Sequence, residues 1–355
     1  MKVPFNDLKR IHEPLREEFH KSFDDVLDSS SFVGDTYFAE KFRKYTGAEH
    51  CITCNSGTDA LYLAIKALEL KPGSRIMVPA VSYAATAMSV VNAGHIPVFR
   101  DVDAKTGLMS LPNKNLASII FDDIDCIIVV HLFGQIAHVP CKYNIPIIED
   151  CAQAHGAKLN SKHVGTHGTI GCFSFYPGKN LGALGDGGAC ITNDQNLAIK
   201  MKQYASLGAP KHNRYEHNTD GINSRMDGMQ GLFLSTKLNH LDEWTRERVE
   251  IAKKYNATTP FPKRSELGDV YHVFYTLEND RDSYIKFMNS NGVQTGIHYP
   301  IALPELECFK EYHTECKNAK EFCSKCVSLP MFPYMNSLEI VTTLKSHIDY
   351  HHREL

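Results

Sequence analysis

Apolar positions along this chain repeat with two periods that replace one another in order. Ala60, Leu61, Leu63, Ala64, Ala67 and Leu68 recur at helical spacing, which puts them on one face because residues three and four apart stack on the same side of a helix. Lys71-Pro72-Gly73 ends that run. Arg75–Ser82 then reads as a strand, Ala84–Ala93 as a helix and His95–Val102 as the next strand. Short apolar runs follow at Cys126–Leu132, Ile145–Ile148, Cys172–Tyr176 and Ala189–Thr192. Runs of this length suit strands covered on both faces. Asn193 or Asp194 caps a further helix, which stops at Gly208. Strand and helix in alternation predict an α/β fold with a largely parallel sheet between helical layers.

The pattern then changes. Residues 209–222 are polar and contain Pro210, His212, His217 and Gly221, which reads as a long loop of the kind that often carries function. Met226–Arg248 reads as one long helix with Met229, Phe233, Leu234, Leu238 and Leu241 as its apolar positions. A smaller α/β domain is expected to begin near its end. The expected division is a large domain over residues 1–248, whose N-terminal segment touches the small one, and a small C-terminal domain over 249–355. The 355 residues exceed what one typical domain needs.

Composition narrows the function classes. Hydrophobic residues make up 43% and charged residues 22%, with a net charge of −3, an ordinary globular balance. No basic stripe is present, which argues against a nucleic-acid partner. The charged start lacks the apolar core of a signal peptide. The apolar region Cys126–Cys141 is broken by His131, Gln135 and His138, too often for a membrane span. A cytoplasmic location is expected. The eleven cysteines include two CxxC pairs, Cys51/Cys54 and Cys323/Cys326. A zinc site would need these distant pairs to converge or to recruit other ligands, whereas buried thiols beside strands need nothing further. No metal is expected.

Four segments carry candidate chemistry. In Asn55-Ser-Gly-Thr-Asp-Ala-Leu, Gly57 permits close backbone approach, and the helix start with the Ser56 and Thr58 hydroxyls makes a phosphate site; an ordinary helix cap is the plain alternative. Asp150 ends the buried run Ile147-Ile-Glu-Asp, at the carboxyl end of a strand, where open α/β sheets place ligands; a cap or ion pair competes with that reading. Lys179 follows Ser174-Phe-Tyr-Pro-Gly, and alone it would pass for a surface lysine. The glycines at 182, 185, 187 and 188 follow directly, and they imply close packing around whatever the lysine holds.

Together these segments resemble the DegT/StrS-type family of pyridoxal-phosphate-dependent nucleotide-sugar aminotransferases, over nearly the whole chain. The resemblance also rests on Val3-Pro-Phe-Asn-Asp-Leu, Phe32-Val-Gly, Val78-Pro-Ala-Val-Ser-Tyr-Ala-Ala-Thr, Glu149-Asp-Cys-Ala-Gln-Ala-His-Gly, Gly221-Ile-Asn-Ser-Arg-Met-Asp, His298-Tyr-Pro and Ser328-Leu-Pro-Met-Phe-Pro. It implies the aspartate aminotransferase (type I) fold and assigns roles. Lys179 is the Schiff-base lysine and proton shuttle, and Asp150 pairs with the protonated pyridine nitrogen. Gln153 bonds the ring hydroxyl, and Tyr83 stacks on the ring, a core aromatic being its plain alternative. Gly57, Thr58 and Ser174 hold the phosphate. Asn223 reaches the phosphate of a neighbouring subunit's cofactor, which makes the active unit a homodimer with shared sites. Arg225 and His298 contact substrate, against a salt bridge and a structural histidine. Ala302-Leu-Pro304 departs from the family, whose members often carry a histidine after Pro-Leu. The implied reaction moves an amino group from L-glutamate, through pyridoxamine phosphate, to a UDP- or dTDP-linked 4-keto-6-deoxy hexose. The product is a 4-amino-4,6-dideoxy sugar for glycan assembly. A 3-keto substrate is the runner-up, and a non-catalytic regulatory descendant is a remote third reading.

Overall fold

A computed structural model describes residues 3–34, 37–111, 123–140, 145–213, 215–258 and 268–353. Its strands are β1 (His50–Cys54), β2 (Arg75–Pro79), β3 (Ile96–Arg100), β4 (Cys126–Val130), β5 (Ile147–Asp150), β6 (Lys158–Leu159), β7 (Lys162–His163), β8 (Ile170–Ser174), β9 (Gly188–Thr192), β10 (Phe274–Leu277) and β11 (Cys326–Leu329). Seven of them form one sheet in the order β1-β9-β8-β5-β4-β2-β3. From β3 through β2, β4 and β5 to β8 all pairs are parallel, whereas β9 runs antiparallel to both β8 and β1. Every residue of β4, β5 and β9 is buried. That burial explains why their sequences read as unbroken apolar runs rather than alternating ones.

The helix Gly57–Ala67 packs over β8 and β9, through the buried face Ala60, Leu61, Leu63, Ala64 and Ala67 read from its spacing. Asp194 caps the helix Gln195–Tyr204 by accepting the N–H groups of Asn196 and Leu197. The expected single helix over Met226–Arg248 is instead two, Gly228–Leu238 and Leu241–Thr258. Asn239 and His240 direct their N–H groups back to Thr236 and Lys237. These tight three-residue bonds close the first helix, and His240 O receives Trp244 N to open the second. Apolar spacing continued across the break and concealed it.

A second apolar cluster surrounds the antiparallel pair β10–β11, with Phe274, Tyr284, Met288, Val327, Leu329 and Ile340. The N-terminal segment joins it: Val3 pairs with Val293, its N–H bonding Gly292 O at 3.0 Å and its carbonyl receiving Gln294 N at 3.0 Å. The ten described cysteines form no disulfide with one another, and Cys141 lies outside the described residues. No described helix is long and apolar enough to cross a membrane.

Candidate active site

Parallel strands aim their carboxyl ends at one edge of a sheet, and loops leaving that edge build sites. Here the edge opens into a cavity of about 580 Å³, lined among others by Val130, Asp150 and Ser174 from the ends of β4, β5 and β8. Of the ten residues assigned from the sequence, eight line this cavity: Gly57, Thr58, Tyr83, Asp150, Gln153, Ser174, Lys179 and His298.

Asp150 is 5% exposed. Its Oδ2 accepts the Thr86 hydroxyl at 2.9 Å and its Oδ1 accepts Ala152 N at 3.1 Å. Burial raises its pKa above the ordinary aspartate value; these two donors and the positive charge of Lys179 oppose that rise without cancelling it. Glu149, one residue earlier, is fully buried. It accepts Gly165 N, His167 N, Gly168 N and His131 Nε2 at 2.8, 2.8, 2.6 and 3.0 Å. His131 Nδ1 accepts Ala137 N at 3.1 Å, so Nε2 carries the proton given to Glu149. Burial acts to raise the Glu149 pKa, yet the His131 contact and the backbone donors outweigh it and hold the value below normal. Four donors fill the carboxylate. The buried grouping of His131, Glu149 and Cys151 therefore has no free carboxylate position for a metal ion.

Lys179 is held by its own N–H to Tyr176 O at 2.9 Å. The loop that follows turns tightly against it: a Cβ on Gly182 would lie 2.3 Å from Pro177 O. The lysine side chain is half-buried in the cavity wall. Burial lowers its pKa to about 8, with Asp150 pulling the other way. An amine of that acidity is partly neutral near neutral pH and can act as nucleophile or base.

At another part of the wall Gly57 opens its helix. A Cβ there would sit 2.4 Å from the Cβ of Ser174, so only glycine lets the helix start approach β8. The first N–H groups of a helix lack intrahelical acceptors and attract anions. The Ser56 hydroxyl caps its own helix by accepting Asp59 N at 3.1 Å, and Ser56 also lines the cavity. Tyr83 is 61% exposed, which excludes the core-aromatic alternative, and its ring lies 6.1 Å from that of Tyr299. Gln153 Oε1 accepts Phe133 N at 2.6 Å, and its Nε2 donates to the Tyr299 hydroxyl at 2.9 Å. The His298 ring stacks on Phe5 at 5.5 Å, and its Nδ1 lies 2.9 Å from Ser328 Oγ.

Asn223 and Arg225 do not line the cavity. Both are exposed; Asn223 bridges to Ser206, and Arg225 Nε donates to Asn223 Oδ1 at 3.1 Å. Residues not foreseen from the sequence also line the wall: Ser82, Thr86, His272 and Tyr299. Tyr299 sits within the noted His298-Tyr-Pro motif and was legible there. His272 lies in an apolar run that gives no signal.

These residues fit pyridoxal phosphate. The start of the Gly57–Ala67 helix would suit the phosphate, the buried Asp150 carboxylate the pyridinium, and the Lys179 amine of lowered pKa the aldehyde. Comparison with known proteins agrees. Residues 14–345 match the model of the DegT/DnrJ/EryC1/StrS aminotransferase family. The chain is 36% identical to the UDP-N-acetyl-3-dehydro-alpha-D-glucosamine 3-aminotransferase of Acidithiobacillus ferrooxidans, covering 95% of each chain. It is also 36% identical to the dTDP-3-amino-3,6-dideoxy-alpha-D-galactopyranose transaminase of Aneurinibacillus thermoaerophilus, covering 95% of this chain and 96% of that one. A crystal structure of S. venezuelae DesV in complex with a ketimine intermediate superposes with a TM-score of 0.90 at 30% identity, covering 98% of both chains.

Proposed function

The chain belongs to the DegT/DnrJ/EryC1/StrS aminotransferase family, and from that premise we infer that it aminates a nucleotide-linked keto hexose with L-glutamate as donor. It is a pyridoxal-phosphate-dependent nucleotide-sugar aminotransferase. The cofactor supplies an electron sink and carries the amino group between the two substrates. The observation that carries the reading is the convergence of Asp150 and Lys179 on one cavity beside the start of the Gly57–Ala67 helix. In this reading Asp150 keeps the ring nitrogen protonated, and Lys179 moves the proton at the reacting carbon. Gly57, Thr58 and Ser174 hold phosphate. Tyr83 covers a ring face, Gln153 donates from Nε2 toward the ring hydroxyl, and Arg225 and His298 serve the sugar nucleotide.

The sequence put a 4-keto sugar first. Two of the three relatives at 36% identity are named for chemistry at carbon 3, and they favour the 3-keto alternative; the third is named a pleiotropic regulatory protein. Product analysis with 3-keto and 4-keto sugars, each as UDP and dTDP forms, decides between them. A 3-amino product is expected; a 4-amino product restores the first reading, and no amino sugar from any of the four removes the assignment.

The working unit in this reading is a homodimer in which Asn223 serves the partner's phosphate. Exposed apolar Phe32, Val33 and Leu207 lie beside the segment that carries Asn223, and an exposed apolar patch is a common mark of an interface. If Asn223→Ala is severely impaired at limiting cofactor, mixed dimers of Asn223→Ala with Lys179→Ala chains should regain one intact site. Inactive mixed dimers would place Asn223 in the service of its own chain.

A further inference from the structure

Asn180 follows Lys179, and both ends of its amide are engaged. Its Nδ2 donates to Val270 O at 3.1 Å. A carbonyl oxygen only accepts, so this contact identifies the nitrogen end of the amide. The other end, Oδ1, lies 3.1 Å from Nδ1 of His272. An amide oxygen likewise only accepts, so Nδ1 carries a proton. Burial, then the charges of Lys179 and Arg248, hold the His272 pKa well below that of an ordinary histidine. The ring is therefore neutral with a single proton, and Nε2 is left as a lone pair. The segment is clamped at both sides of the ring: Val270 N bonds Gly134 O at 2.9 Å and Val273 N bonds Phe133 O at 3.3 Å. His272 lines the same cavity as Asp150 and Lys179.

Some acceptors in this wall are already engaged, whereas Asn6 Oδ1 is not. Gln153 Oε1 takes Phe133 N, and the Asp150 oxygens take Thr86 and Ala152. A nucleotide-linked keto-6-deoxy hexose still brings hydroxyl donors, and each one buried on binding needs an acceptor. We propose that His272, oriented by Asn180, is a substrate-binding residue whose Nε2 accepts a hydrogen bond from a hexose hydroxyl. The proposal rests on the sugar-aminotransferase reading of this cavity.

Two substitutions separate the ends of the ring. Asparagine carries its polar atoms at the position of Nδ1, and glutamine at the position of Nε2. His272→Asn keeps a donor for Asn180 and loses the acceptor in the cavity. His272→Gln does the reverse. The expected result is a KM for the keto sugar raised about tenfold or more in His272→Asn, with a melting temperature near that of wild type. His272→Gln should keep KM within about threefold while its melting temperature falls. The L-glutamate half-reaction, followed by the cofactor's absorbance, should be unchanged in both. The opposite order of KM values, or equal losses in both half-reactions, would make His272 a structural strut and overturn the proposal. Nitrogen NMR of the labelled ring supplies an independent reading: a proton on Nε2 rather than Nδ1 also overturns it. Failure of the wild-type protein to respond to any amino donor would instead count against the aminotransferase reading, while the ring measurement still decides the state of His272.

Discussion

Successive side chains of a strand point to opposite faces, and in β5 this separates two buried carboxylates. Glu149 meets four N–H donors and is held more acidic than usual; Asp150 meets two donors and a cavity and is held less acidic. The first arrangement is closed. It ties the 165–168 loop and His131 to the sheet. The second is open: a carboxylate with two donors, set in the cavity wall with Lys179. The same residue chemistry, one position apart, is closed into the fold on one face and presented to the cavity on the other.

The strongest way to break this comparison is Asp150→Asn. It removes the charge but keeps the shape, and turnover should drop by about a hundred- to a thousandfold, the range for one preorganised electrostatic partner. The variant's melting temperature should stay near that of wild type. A raised pKa means that ionised Asp150 costs the fold stability at neutral pH, so neutralising it removes that cost. Near wild-type turnover would make Asp150 a structural residue.

Glu149→Gln should do the converse. Amide N–H groups would confront backbone N–H groups, and stability should fall by about 2 kcal/mol, read by denaturant unfolding. Turnover per folded molecule should hold. The pH dependence adds a second mark. With its folded pKa below its unfolded one, Glu149 gives its full stabilisation above the unfolded value and loses it as pH falls through the folded value. The variant should lack that part of the acid limb. Loss of turnover without loss of stability would erase the distinction between the two faces.

The smallest effect is expected from Thr86→Val, which removes one of the two donors to Asp150. It should raise the pKa of Asp150 further and lower turnover by less than about tenfold. An effect as large as that of Asp150→Asn would mean that Thr86 has a role of its own.

Much of this was legible in the chain itself. The positions of β2, β4, β8 and β9 followed from apolar runs, whereas Asp150 at a strand end and Lys179 before a glycine-rich turn were singled out as candidates and given roles only by the family resemblance. The break at Asn239-His240 was not legible, because both residues are compatible with a helix and the apolar spacing continues through them. Thr86 and His272 were missed for a different reason. Thr86 belongs to a helix end and His272 to an apolar run, and only the folded chain brings them to Asp150 and Lys179. Asn223 illustrates the reverse case. It was singled out by motif, and the folded chain places it outside its own cavity.

The pairing of Val3 with Val293 bears on how the molecule is made. Phe5 and Asn6, just beyond that pairing, are part of the cavity wall. Residues 3–6 must therefore wait for the segment around Val293 before they find their places. Contacts this distant in sequence form slowly, because a long loop must close before they yield anything. A nascent chain can assemble the central sheet well before its reaction chamber has all its walls, so competence for ligand comes only once the segments carrying His298, Tyr299 and Met331 are in place.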